Sequence, residues 1–192
     1  MRKFSIITEN INDTKSKLES LFPEVSDLEP IGQGQFGQAY LGVIGNDMVV
    51  VKLTKSLPEY WLTKMAMVSN PPNVVKFHSA KVYDESKYEY GIMHDYVNRD
   101  GIPSAETWNL YTKVNNGMMN MSEALSKLNS REEKYEFELS MNFKKEIENF
   151  FGFEIDTLQQ NIGYNDNKEL VIFDLDGNIS RPKYESFMSK HK

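Results

Sequence analysis

The sequence predicts an α+β protein whose first half is strand-rich and antiparallel and whose second half is helix-rich. Three observations carry that class. Residues 28–54 hold a glycine-rich turn, a β-type run ending at Val43-Ile44, a Gly45-Asn46-Asp47 turn and the run Met48-Val49-Val50-Val51, which reads as a three-stranded meander. Strand character fades after Val97-Asn98-Arg99-Asp100-Gly101. Residues 130–151 then repeat Tyr135, Leu139, Phe143, Ile147 and Phe150 at three- and four-residue steps, the stripe of an amphipathic helix. Strands and helices that segregate along the chain give α+β architecture rather than alternating α/β units.

The elements follow in order. Residues 11–22 place Ile11, Leu18, Leu21 and Phe22 on one helical face, with Asp13 or Thr14 as N-cap and Pro23 as the stop. After the meander, Pro58 suits the first turn of a short helix on which Trp61, Met65 and Val68 share a face. Pro71-Pro72 ends it. Residues 74–83 and 88–93 are expected as two more strands around Asp84-Glu85-Ser86-Lys87, and 104–128 and 130–151 as helices. A loop, a turn at Asn165-Asp166-Asn167 and the run LVIFDLDG complete a short hairpin, and NISRPKYESFMSKHK is expected to form little more than a basic tail. The expected division is 1–27 as a helical extension, 28–97 as a sheet lobe and 98–192 as a reduced helical lobe.

Composition removes several function classes. The 192 residues sum to 22 − 28 = −6, which disfavours nonspecific binding to nucleic acid or an anionic membrane. Cys is 0, so a disulfide framework, thiolate metal site or cysteine nucleophile is excluded. His78, His94 and His191 are too widely spaced for a His-rich zinc site. No apolar run reaches the ~18–20 residues of a membrane span, and MRKFSIITENIND makes a poor signal peptide. A cytoplasmic protein is expected.

Gly32-Gln33-Gly34-Gln35-Phe36-Gly37 is a GxGxxG, a pattern shared by two phosphate-binding architectures. The dinucleotide type needs strand, loop, then helix. Here strand, turn and strand follow, so that type fails on context. The kinase type sets the glycines between the first two strands and a lysine on the third, and Lys52 closes Val49-Val50-Val51, 52 − 32 = 20 residues after the first glycine. Glycines let backbone N–H groups approach phosphate oxygens. The plain alternative is an ordinary glycine hairpin with a solvent-facing lysine.

Asp156 and Asn161 form D-x4-N, and Asp174 follows 174 − 161 = 13 residues later at the end of an apolar run. Phosphoryl transfer asks for one Asp to take or orient the nucleophile's proton, and for an Asn and a second Asp to hold Mg²⁺. Taken singly, each is more often a turn residue. LVIFDLDG also resembles the first motif of haloacid-dehalogenase-type phosphatases, but only 192 − 177 = 15 residues follow Gly177, and the expectation is against it on length.

With IGQGQFGQAY, VVVK, IMHDYV, IDTLQQNIGY and VIFDLDG in that order, residues 28–180 resemble the protein kinase-like fold, most closely the small protein kinases of tailed bacteriophages. The resemblance implies a minimal bilobal fold with ATP held between the lobes. It implies Gly32, Gly34, Phe36, Gly37 and Lys52 at the phosphates, and Asp156 as catalytic residue with Lys52. Asn161 and Asp174 would hold Mg²⁺. Adenine would bond the backbone of Asp95 to Val97, with His94 as gatekeeper.

The departures are specific. Glu154-Ile155 replace the usual H-R, and Leu158 stands where a Lys or His usually steadies the phosphate. Asp174-Leu175-Asp176 replaces D-F-G, as in small-molecule kinases, with Asp176 either a second metal contact or a turn cap. Glu59, the sole acid in PEYWLTKMAMVSN, is either the partner of Lys52 or a surface residue. No activation segment or later substrate helices are expected. The leading expectation is an ATP/Mg²⁺-dependent serine/threonine kinase acting on itself, with Ser180 as a candidate acceptor, or on host proteins. Alternatives are a pseudokinase binding module and a small-molecule kinase.

Overall fold

A computed structural model describes residues 2–34, 37–156 and 159–191; the side chains of 2–11, 156 and 176 lie outside the description. The class is the expected one, a five-stranded antiparallel sheet with helices. The chain divides into two compact units, one of residues 1–70, 75–96 and 178–192 and the other of 71–74 and 97–177.

The first unit is built on β1 (Ser26–Gln33), β2 (Gly37–Ile44), β3 (Asp47–Thr54), β4 (Phe77–Asp84) and β5 (Glu89–Asp95), in the order β1-β2-β3-β5-β4. Gly45, at φ 63°, opens the two-residue turn that joins β2 to β3, a conformation cheap only without a Cβ. Successive strand residues face opposite sides. Val49, Val51 and Leu53 therefore point one way, into a core with Tyr40, Met93 and Leu28. The helix α1 (Arg2–Leu21) closes that core with Leu18, and Phe22 follows directly after it; both are fully buried. Gly91 makes room for it: a Cβ there would lie 2.5 Å from Leu21 and 2.9 Å from the Phe22 ring.

On the opposite face, α2 (Leu57–Ser69) buries Leu62, Met65 and Ala66, and Tyr60 stacks on Tyr90 of β5 at 4.6 Å. The helix begins at Ser56, whose hydroxyl accepts the Glu59 N–H at 3.2 Å, and ends at Asn70 in the left-handed region. The last element of this unit comes from the far end of the chain. Residues 181–190 form a helix, α6 (Arg181–Lys190), in place of the expected featureless tail; Pro182 lies in its first turn, where a missing N–H costs nothing.

The second unit contains α3 (Ala105–Asn115), α4 (Met121–Ser126) and α5 (Arg131–Phe151). The helix expected over 104–128 is two helices, because Gly117 adopts φ 69° and Asn120 caps a new start through the Glu123 N–H. On α5 the buried stripe is Phe137, Ser140, Phe143, Ile147 and Phe151, while Tyr135 is exposed, a rotation from the expected face. A capping box, Ser130 with Glu133, starts this helix and Gly152 at φ 74° ends it. Two small ladders follow, β6 (Ile155–Asp156) with β9 (Asp176–Gly177), and β7 (Ile162–Tyr164) with β8 (Leu170–Ile172). Among the described residues, no helix is long and apolar enough to cross a membrane. The expected N-caps Asp13 and Thr14 lie inside α1, which starts about a dozen residues earlier; Asp13 instead pairs with Lys17 one turn on, at 2.9 Å.

Candidate functional site

In the first unit the site is built from the alternation of β3. Lys52 and Thr54 lie on the face away from the α1 core, the face on which α2 packs, and the β3–α2 connection is only Lys55-Ser56. That short turn brings Glu59, in the first turn of α2, back over the strand. The Lys52 ammonium contacts one Glu59 carboxylate oxygen at 2.8 Å, and the Thr54 hydroxyl donates to the other at 2.6 Å. Glu59 is 4% exposed. It is therefore the partner of Lys52 and not a surface residue.

The arrangement explains why this carboxylate is available. Ser56-Leu57-Pro58-Glu59 has the S-x-x-E spacing of a capping box, in which the glutamate reaches back to the N-cap amide. Here the Ser56 N–H donates to the Thr54 hydroxyl at 3.1 Å instead. Glu59 is thereby left for Lys52. Thr54 and Ser56 are the positioning residues that sequence reasoning missed, although the S-x-x-E spacing was there to be found.

The glycines divide by role. The Gly34 N–H donates to the Gly37 carbonyl at 2.8 Å, closing the turn between β1 and β2. At Gly37 a Cβ would lie 2.2 Å from the Leu53 carbonyl oxygen, so this glycine is required by the approach of β2 to β3. At Gly32 a Cβ would have no neighbour within 4 Å among the described residues. Phe36 lies outside the described residues.

At the end of β5, His94 is 3% exposed and its Nδ1 lies 2.7 Å from the Asp95 carbonyl. A carbonyl only accepts, so Nδ1 carries the proton. The Asp95 carboxylate meets His78 Nε2 at 2.5 Å, and the Asp95 N–H donates to Lys76 at 3.0 Å.

In the second unit, strand register relates two of the predicted site residues. Asp156 and Asp176 are cross-strand partners in the β6–β9 ladder. The Asn161 carbonyl accepts the Phe173 N–H at 2.9 Å, which sets Asn161 beside the residue preceding Asp174. Asn161 is buried and Asp174 half-buried. Leu158 lies outside the described residues. Among the described residues no three His, Asp or Glu side chains cluster. The Asn161 and Asp174 side chains carry oxygen donors, the donor type a hard cation such as Mg²⁺ takes. In the same unit the Asn98 N–H and carbonyl pair with Tyr164, at 2.9 and 2.6 Å. The neighbouring Val97 amide has no backbone partner among the described residues, although Val97 is 6% exposed.

No protein-family model matches the sequence, and no curated protein matches it. Two crystal structures of the aminoglycoside phosphotransferase APH(4)-Ia are similar in fold. A thermostable mutant in ternary complex with AMP-PNP and hygromycin B is 15% identical, with a TM-score of 0.37 over 54% of this chain and 36% of that one. A second structure of the enzyme is 14% identical, with a TM-score of 0.40 over 56% of this chain and 38% of that one. The chain thus spans little more than a third of the length of these proteins. Neither structure bears on a phage origin.

Proposed function

We propose that the chain is an ATP- and Mg²⁺-dependent phosphotransferase of the kinase type, acting on serine or threonine hydroxyls of proteins, itself or host proteins included. The buried Lys52–Glu59 pair carries this reading. A lysine held on a central strand by a buried carboxylate, itself fixed by a threonine hydroxyl, costs desolvation that a purely structural role repays poorly. The same lysine is a suitably fixed cation for phosphate oxygens.

Each group has a role in the proposal. Lys52 donates to the phosphates while Glu59 fixes its ammonium. The backbone at Gly32 and Gly34 approaches the phosphate chain, and Gly37 keeps that hairpin seated on β3. The Asp95 carbonyl and the Val97 amide serve the adenine edge beside the buried His94. Asn161 and Asp174 hold Mg²⁺, with Asp176 as a further oxygen donor; the metal would supply charge neutralisation at the phosphate oxygens. The Asp156 carboxylate accepts the proton of the attacking hydroxyl.

The test is transfer from radiolabelled ATP, in the presence of Mg²⁺, to the protein alone and to added lysate proteins. Wild type is expected to transfer label, and Asp156→Ala and Lys52→Met to lose it. Label unchanged by Asp156→Ala overturns the catalytic assignment. Nucleotide binding without any transfer favours the binding module, in line with Leu158 standing at the position where a phosphate-steadying cation is expected.

A further inference from the structure

Three consecutive residues of α2 point in three directions, since each helical step turns the chain by about 100°. Glu59 meets Lys52 at 2.8 Å, and Tyr60 stacks on Tyr90 of β5 with planes 20° apart. Trp61 stacks on Tyr184 of α6, with ring centroids 5.3 Å apart and planes at 10°. α6 buries none of its side chains fully, and this ring stack ties it to α2. At the start of α6, Arg181 bonds Glu185 one turn on at 2.8 Å. In sequence, α6 starts shortly after the Asp174-Leu175-Asp176 segment, at 181 − 176 = 5 residues.

A helix with its side chains is about 10–12 Å across, so a rotation of about 20° moves a carboxylate on its rim by roughly 2 Å. That displacement is enough to part a 2.8 Å ion pair. The rotational setting of α2 is therefore what Glu59 depends on; the buried Leu62, Met65 and Ala66 hold one face of the helix, and the two ring stacks hold its flanks.

We infer that α6 sets the rotation of α2 through Tyr184 on Trp61, making these two positioning residues that keep the Glu59 carboxylate on Lys52. The consequence for nucleotide affinity rests on the phosphotransferase reading; the mechanical part does not. Two readouts on the full chain separate them.

The first is amide hydrogen exchange along α2. Tyr184→Ala speeds exchange in 57–69, and Tyr184→Phe, which keeps the ring, restores the wild-type rate. Unchanged exchange in Tyr184→Ala overturns the inference, whether or not the protein binds ATP. The second is ATP affinity in a double-mutant cycle with Glu59→Gln. Tyr184→Ala is expected to weaken ATP about two- to tenfold when Glu59 is present, the range open to one aromatic pair, and to have little effect in the Glu59→Gln background. An equal loss in both backgrounds overturns the coupling through Glu59. If wild type binds no ATP, the phosphotransferase reading fails, and the exchange experiment alone decides the role of α6.

Discussion

Replacing Glu59 with leucine and Lys52 with methionine, singly and together, isolates the interaction on which the site is built. Glu59→Leu removes the carboxylate paired with a lysine whose side chain is 16% exposed. Breaking a buried pair from one side costs about 3–5 kcal/mol, and the residual access of Lys52 to water favours the low end, about 3 kcal/mol. Thr54, fully buried, also loses the acceptor of its hydroxyl, for about 1 kcal/mol more. For a chain of this length each kcal/mol moves the Tm by about 2–4 °C, so a fall of roughly 8–16 °C is expected. Lys52→Met removes the cation paired with the buried Glu59 carboxylate and should cost a similar amount. The double variant replaces both charges by apolar side chains of like volume and should recover to within about 1 kcal/mol of wild type. Urea denaturation of all four proteins gives the coupling energy, expected at about 7 kcal/mol from these losses. Additive losses, with coupling below about 0.5 kcal/mol, refute the buried pair.

Other perturbations separate packing from function. Gly37→Ala should cost about 1–3 kcal/mol by overpacking against Leu53, whereas Gly32→Ala, with no described residue within 4 Å of its Cβ position, should leave urea stability unchanged and weaken nucleotide binding. Phe22→Ala empties a fully buried position under α1 and should cost about 3–5 kcal/mol in the same assay. Burial alone would lower the pKa of Lys17, but the carboxylates of Asp13 and Glu89 outweigh it and hold the group above its ordinary value. A lysine raised on folding stabilises fully below its unfolded pKa of about 10.4, and loses that contribution as pH rises through the folded value. The stability gap between wild type and Lys17→Met should therefore be constant from about pH 7 to 9 and shrink above about pH 10.5; a gap that persists at higher pH contradicts the ion-pair account.

Sequence reasoning located the sheet because its signals are local. The Gly45-Asn46 turn and the alternation of β3 are written in adjacent residues. Glu59 was harder to read, because its partner is fixed by a two-residue connection and by Thr54 taking over the Ser56 amide, neither of which periodicity reports. The break at Asn116-Gly117 and the start of α6 at Ser180-Arg181-Pro182 both carry local signals, a turn dipeptide and an N-terminal proline. They were outweighed by apolar content in the first case and by chain-end position in the second. Asp156, Asn161 and Asp174 were singled out by their spacing. The pairing of Asp156 with Asp176 depends on ladder register, which short strands do not disclose.

The most direct test of the central claim is a thermal shift with ATP, with and without Mg²⁺, on wild type and Asp174→Ala. At an ATP concentration of about a hundred times Kd, binding adds about 2.7 kcal/mol, or roughly 5–11 °C in Tm. The account predicts that shift for wild type only with Mg²⁺, and its loss in Asp174→Ala, each measured from that protein's own apo Tm. Equal shifts with and without Mg²⁺, in both proteins, would contradict it.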